Sequence, residues 1–469
     1  YQLILSFYVL MITLSTSGIR VAVSRLISEE LALSRYYNAK KVLHQSIVLS
    51  FLTGSLAAFV MYYFSSIIGK NILHDERTIM SLIYLVPSLP SIAVSSCYKG
   101  YFYAVGKVTK PASAQVLEQL VRVFVIFLIM DLYLPHGLGY GCAAVAIGMT
   151  VEELFSLIYI WVLYVLDKKP YSHKIRTKTD NMLFKIIGIS IPLSATANLN
   201  SLLRMAENIL IPAQLILYGT SRANAMSLYG MIKGMVLPLL FFPSSFLTSL
   251  SSVLIPSVAG DNAISNEKKV TYTLSKVLHF TTLSGILVVS IFVSFPNEIG
   301  IAVYNDLLVG SMLKTISFIC PFMYLNMVVS SMLSALGEEV ASFKINIIES
   351  ILKISIIYFL IPVYGFNAYL FALFITTLIN SVLYLFKLLR ISCIIYDVSN
   401  WIFKPVAAGA LSSLVARFSY ELFLSLNNMK VFVLISSIII LSSFYLIFLL
   451  LFKSVKISSI NSMNRTILR

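Results

Sequence analysis

The sequence predicts an all-α integral membrane protein: two pseudo-symmetric six-helix lobes around a central cavity, plus two extra C-terminal helices. Three observations predict it. Hydrophobic residues make up 58% of the chain and the mean hydropathy is +0.88, outside the range of soluble globular domains. A bilayer core about 30 Å thick requires roughly 20 apolar residues per helix. Runs of that length recur from one end of the chain to the other. A stretch of the first third also returns, in altered form, in the last third.

The first run covers residues 3–26. No basic segment precedes it and no small-residue cleavage site follows, so it reads as a span and not as a signal peptide. The chain opens at Tyr1, already inside that run, and an earlier helix is expected before it. Further runs lie at 44–68, 79–104, 112–131, 138–166, 183–217, 224–258, 277–295, 309–336, 343–361, 367–389, 402–425 and 431–452, which makes 13 candidate spans and 14 with the expected first helix. The expected domains are an N-lobe at 1–166, a basic linker at 167–182, a C-lobe at 183–395, and two extra helices with a tail at 396–469.

Charge sets the orientation. Only 12% of residues are charged, yet the formal net charge is +15. The excess sits in alternate connections: Arg35, Lys40 and Lys41; Lys107 and Lys110; Lys168, Lys169, Lys174, Arg176 and Lys178; Lys268 and Lys269; Lys387, Arg390 and Lys404; then Lys453, Lys456, Arg465 and Arg469. The positive-inside rule then places the C-terminus in the cytoplasm and Tyr1 outside. The charge is therefore read as topology, and nucleic acid is not an expected partner. Cys97, Cys142, Cys320 and Cys393 are scattered through apolar runs, and the five histidines are dispersed, so no metal spacing is present. With no Walker loop and no DxD sequence, the chain reads as a transporter and not as an enzyme.

The repeat pairs residues 85–128 with 319–360. Each opens on an aliphatic-x-Pro, passes through a Ser/Val-rich span to a glycine turn (Gly106, Gly337), and enters a span carrying Glu-x-x-x-basic. Those pairs are Glu118 with Arg122 and Glu349 with Lys353, and a Tyr-Gly follows each, at Tyr140-Gly141 and Tyr364-Gly365. Paired bundles of this kind are the plan of many carriers with a central cavity. Glu and a base at i, i+4 also neutralise each other along one helix, and both readings stay open for these four residues.

Residues 201–260 carry the sharpest signal. They are apolar, yet hold Arg204, Glu207, Arg222 and Lys233. An ionisable group at membrane depth costs about 2.5–3.5 kcal/mol on insertion scales and persists where it lines a cavity or finds a partner. Lys233 stands mid-span, five residues before Pro238, with no acid in its own span. Snorkelling of its ammonium to an interface is the plainer alternative. Pro87, Pro90, Pro192, Pro212, Pro238, Pro243 and Pro256 fall in or at the ends of spans, where the missing N–H bends a helix.

The segment from Ala206, with ENILIPAQL, SLYGMIKGMVLPLLFFPSSFLTSLSSVLIPSV, resembles the stage V sporulation protein B family. So do LSTSGIRVAVSRLISEE near the start and the SALGE turn. The resemblance runs along essentially the whole chain. It implies membership of the multidrug/oligosaccharidyl-lipid/polysaccharide exporter superfamily, a 14-helix fold of two lobes, and the flipping of a lipid-linked oligosaccharide in cell-wall, spore-cortex or polysaccharide biosynthesis. Lipid II flippases place a cavity-facing cation five residues before a proline, the pattern of Lys233 and Pro238. Arg20 departs from the family, whose members usually carry proline there.

Flipping a sugar pyrophosphate requires cations in a wet cavity to lower the barrier for its charged head group. The substrate-binding candidates are Lys233, Arg20, Arg204, Arg122 and Lys353, with Arg25 a weaker one near the cytoplasmic face. Arg204 and Glu207, three residues apart, are also placed to pair with each other. Coupling to H+ or Na+ requires a carboxylate; Glu207 and Glu152 are the candidates, and Glu153 points about 100° away from Glu152 on a helix. No cofactor is expected. Expected partners are the lipid-linked sugar pyrophosphate, membrane lipid and wall-synthesis enzymes. Two other classes remain open: a multidrug and toxin extrusion-type cation antiporter, disfavoured by the cations, and a non-transporting membrane scaffold for wall-synthesis enzymes.

Overall fold

The computed structural model describes residues 1–16, 18–73, 75–167, 182–248, 258, 267–392, 394, 397–426 and 430–454. These fold as helices, in the order α1 Gln2–Thr16, α2 Ile19–Ala32, α3 Tyr36–Tyr63, α4 Thr78–Leu85, α5 Ser88–Ala104, α6 Thr109–Tyr133, α7 Leu138–Asp167, α8 Met182–Leu217, α9 Arg222–Met231, α10 Leu237–Phe241, α11 Glu267–Ser294, α12 Pro296–Tyr304, α13 Leu307–Ile316, α14 Cys320–Ala335, α15 Glu339–Tyr364, α16 Phe366–Ile391, α17 Lys404–Leu426 and α18 Lys430–Leu451. Most of the basic linker and the end of the tail lie outside the described residues.

The apolar runs and the helices coincide to within a few residues at most ends. By length and apolarity, nine helices among the described residues qualify as membrane spans, or ten if α4 and α5 form one span bent by 41°. The bend falls at Pro87, where the ring removes a helical N–H. Three expected spans, 112–131, 183–217 and 402–425, fold as α6, α8 and α17 but do not qualify as apolar enough along an uninterrupted described stretch. Large apolar side chains such as Leu56, Phe59, Phe124 and Phe127 stand exposed on their helices. Water would penalise that surface, whereas lipid accepts it. The chain is a multi-pass, all-α membrane protein.

Contacts divide the chain into two compact units, Tyr1–Ile209 and Leu210–Arg469. In the first, α5 is the inner helix, packed against α1, α2, α3 and α7. Its buried Ser91, Ala93, Ser95, Ser96 and Gly100 let neighbouring backbones approach. Ile19, Val23, Ile27, Val42, Phe102, Ile160 and Ile186 close the core around it. In the second unit, α14 packs on α11 and α16. The two C-terminal helices pair with each other and rest on α11 through Ile286, Ala408, Tyr445 and Leu449. The Tyr445 hydroxyl donates to the Leu283 carbonyl at 3.0 Å.

The repeat survives in backbone detail. Gly106 and Gly337 both take positive φ, 73° and 79°. Each closes its helix with the same pair of bonds: Gly106 N–H to Tyr103 O and Lys107 N–H to Phe102 O, then Gly337 N–H to Ser334 O and Glu338 N–H to Leu333 O. A left-handed residue after the last turn is what glycine supplies at low cost. Close approaches recur too. A Cβ on Gly54 would lie 2.9 Å from the Pro90 Cα, and one on Gly285 2.7 Å from the Pro321 Cα. This corrects the register read from the aliphatic-x-Pro motifs. Pro321 takes the packing place of Pro90, one turn beyond the Pro87 with which those motifs align it.

Candidate functional site

The candidate side chains fall in several settings: charged networks inside each unit, Lys233 in a helical turn, Glu207 buried, and Arg20, Arg25 and Arg204 on exposed faces. In the first unit, α5, α6 and α7 bring five charged residues together. Arg122 of α6 forks onto Glu152 of α7, with Nε 2.6 Å from Oε2 and a terminal nitrogen 2.5 Å from Oε1. Glu152 is 1% exposed. Lys99 of α5 donates to Glu118 of α6 at 2.7 Å, and the Ser156 hydroxyl of α7 donates to the same carboxylate. Glu153 stands beside them with Oε2 buried and without a hydrogen-bond partner.

In the second unit, Lys353 lies 3.3 Å from Glu349 along α15, and Asn380 of α16 donates to the other carboxylate oxygen at 2.5 Å. Two further bonds join α14, α15 and α16: the Ser381 hydroxyl donates to Asn326 Oδ1 at 2.8 Å, and the Tyr384 hydroxyl donates to Asn346 Oδ1 at 3.0 Å. The self-neutralising i, i+4 reading therefore holds for Glu349 and Lys353. It is corrected for Glu118 and Arg122, which turn instead to neighbouring helices.

The repeat supplies the physical reason. Counted from the Tyr-Gly pairs, Ser156 corresponds to Asn380, and both bond the repeated glutamate. Glu152 and Glu153 correspond to Thr376 and Thr377. Counted from the glycine turns, Lys99 corresponds to Ser330. The second unit thus offers Lys353 no acid across the helix boundary at the Glu152 place, and the lysine folds back on Glu349. Lys99 was missed by sequence reading, which named Glu153 beside Glu152 but not the cluster that surrounds it. The available signal was a lysine in the Ser-rich 79–104 run, which only the tertiary pairing with Glu118 makes informative.

Lys233 sits half-buried in a widened helical turn, Ile232–Val236, between α9 and α10. Leu237 N–H reaches back five residues to Ile232 O. Pro238 follows at once; it cannot donate, and its ring crowds the carbonyl four residues back, so the preceding turn opens. The same device recurs ahead of Pro405, where Lys404 N–H bonds Ser399 O. Ile232 and Val236 of the turn are buried. Arg20 and Arg204 are exposed and hold no ion pair among the described residues, so the Arg204–Glu207 pairing allowed by spacing is not made. Glu207 is buried, 8% exposed. Arg25 pairs with Glu29 at 2.9 Å on an exposed face. Among the described residues no cluster of His, Cys, Asp and Glu suits a metal ion.

The chain as a whole is similar to several known proteins. The chain is 26% identical over 364 residues to stage V sporulation protein B of Bacillus subtilis (strain 168), covering 77% of this chain and 70% of that one. It is 27% identical over 158 residues to lipid II flippase MurJ of the same organism, covering 30% of this chain and 29% of the flippase. Among solved structures, lipid II flippase MurJ in an inward closed conformation matches with a TM-score of 0.64 at 16% identity, over 100% of this chain and 98% of that one. An inward-facing MATE family transporter of the MOP superfamily matches with a TM-score of 0.66 at 16% identity, over 83% of this chain and 89% of that one. Both likenesses establish the fold, that of the MOP superfamily transporters. The polysaccharide biosynthesis protein profile matches residues 1–260, more than half of the chain, and the chain belongs to that family.

Proposed function

We propose that the protein is a flippase: it moves a lipid-linked oligosaccharide, a precursor of peptidoglycan or another wall polysaccharide, across the cytoplasmic membrane by alternating access. The observation that carries the reading is a combination of family and fold. A chain of the polysaccharide biosynthesis family is folded as membrane-crossing helices like those of a lipid II flippase. A polysaccharide precursor made on the inside must cross the bilayer before use outside, and its sugar pyrophosphate cannot pass hydrocarbon unaided.

In this reading, two lobes, at 1–166 and 183–395, enclose a central cavity, and the helices of 396–469 are peripheral. Lys233 meets the pyrophosphate as a point charge, while Arg20 and Arg204 supply further cationic contacts; an arginine fork suits two phosphate oxygens at once. Arg122 and Lys353, already bound to carboxylates, shape the field and do not grip substrate. The lipid tail stays in the bilayer. The C-terminus is cytoplasmic, the cycle is driven by an H+ or Na+ gradient, and wall-synthesis enzymes are partners at the membrane face.

Binding tests the reading. Purified protein in lipid nanodiscs is expected to bind an undecaprenyl-pyrophosphate sugar, and excess tetraphenylphosphonium is expected not to displace it. Saturable binding of the organic cation, with none of the sugar lipid, would instead make this a multidrug and toxin extrusion-type antiporter. Binding of neither would make it a scaffold.

A further inference from the structure

The charged network of the first unit contains three carboxylates and two cations: Glu118, Glu152 and Glu153 against Lys99 and Arg122. Two of the acids are accounted for. Glu152 receives the Arg122 fork on both oxygens. Glu118 receives Lys99 and Ser156. Glu153 is left with a buried oxygen that nothing donates to.

The surroundings of Glu153 are fixed by the packing of α7. The charged groups around it are Lys99 from α5, Glu118 and Arg122 from α6, and Glu152 beside it on α7. From α1, Tyr8 lies near it, with its hydroxyl bonded to Ser88 at 2.7 Å. From α4, which packs on α7, there is no charged residue; the Tyr84 carbonyl accepts from Thr150. Both cations are therefore already engaged, and the two other acids repel a third negative charge. A charge left without its own counter-ion at this depth costs free energy that a bound proton removes.

The repeat provides an independent argument. The second unit builds the same helix packing with Thr376 and Thr377 at the places of Glu152 and Glu153, and with Ser330 at the place of Lys99. The fold does not need these charges. Paired charges inside a fold are seldom a gain in stability over apolar or neutral replacements. Three charges, Lys99, Glu152 and Glu153, that stand in one unit and are replaced by Ser and Thr in its structural counterpart point to work done in one unit only.

We propose that Glu153 is the proton site that couples transport to the proton gradient, with Glu152 and Glu118, each bound to its own cation, around it. A proton taken from water on one side binds Glu153 and leaves to water on the other side; no other bond changes. This rests on the transport reading and replaces Glu152 and Glu207 as the coupling groups.

The test has a substrate-free arm and a transport arm. Infrared difference spectra of wild-type protein in lipid, titrated between acid and alkaline buffer, are expected to show the carbonyl band of a desolvated carboxylic acid. Glu153→Gln should remove that band, and Glu153→Asp should shift it while keeping it titratable. Glu152→Gln should leave it in place. A band unchanged in Glu153→Gln protein that elutes as the wild type does overturns the proposal. In vesicles, Glu153→Gln should still equilibrate a lipid-linked sugar between leaflets but lose the acceleration that an imposed pH gradient gives the wild type. Retained acceleration also overturns the proposal. If wild-type protein moved no sugar lipid while the infrared band behaved as expected, the transport reading would fail and the proton site would stand.

Discussion

At the scale of single residues, the chain carries charges whose meaning depends on what stands across the helix boundary. Lys233 is predicted to matter through its charge. Lys233→Ala should lower transport about ten- to hundredfold, the loss expected when a charge-assisted contact of roughly 1.5–3 kcal/mol goes. Lys233→Arg should keep a fraction, since charge stays while geometry changes. Complementation of a strain lacking the protein, with membrane levels measured alongside, reads both; full complementation by Lys233→Ala would return Lys233 to a snorkelling role. Arg122 is predicted to matter through its partner. Arg122→Met leaves the 1% exposed Glu152 without its fork, and should cost about 3–5 kcal/mol of stability. The double change Arg122→Met with Glu152→Leu should recover most of it. Thermal unfolding in detergent separates the two, and an additive double variant would show that the pair is not coupled.

At the scale of elements, the repeat makes paired predictions. Gly54 and Gly285 hold the same place against Pro90 and Pro321, with backbone carbon nearly where a Cβ would sit. Gly54→Leu and Gly285→Leu should each destabilise by about 1–3 kcal/mol, as overpacking does, and by similar amounts. A thermal scan in which one is silent would break the equivalence of the two helix pairs.

The helices themselves were legible in the apolar runs, because a continuous apolar run of about 20 residues in lipid satisfies its backbone within itself as a helix, whereas a barrel strand is shorter and alternates. The bend at Pro87 and the opened turn before Pro238 follow from proline chemistry that sequence displays. What sequence did not display was partnership. Glu118 and Arg122 have the spacing of Glu349 and Lys353, and only the second pair closes on itself. The difference lies in Lys99 and Glu152, residues brought close by packing and not by spacing. The proline register also slipped by one turn for the same reason: the glycine that receives each proline is on another helix.

At the scale of the whole molecule, the chain is a multi-pass membrane protein whose basic residues gather in alternate connections. Position 174 and the tail beyond Lys453 are predicted to be cytoplasmic, from the alternation of Lys and Arg among the connections. A cysteine placed at 174 in a chain freed of its own four cysteines should stay unlabelled by an impermeant maleimide in intact cells and react after lysis; labelling from outside would invert the topology. The central claim is that this protein carries a lipid-linked sugar pyrophosphate from one leaflet to the other. The most direct measurement reconstitutes it in vesicles holding a fluorescent undecaprenyl-pyrophosphate sugar and adds a membrane-impermeant quencher. Wild-type vesicles are predicted to lose nearly all the signal, while protein-free vesicles and Lys233→Glu vesicles keep the inner-leaflet share. Protection of that inner share in wild-type vesicles, with correctly inserted protein, would contradict the account.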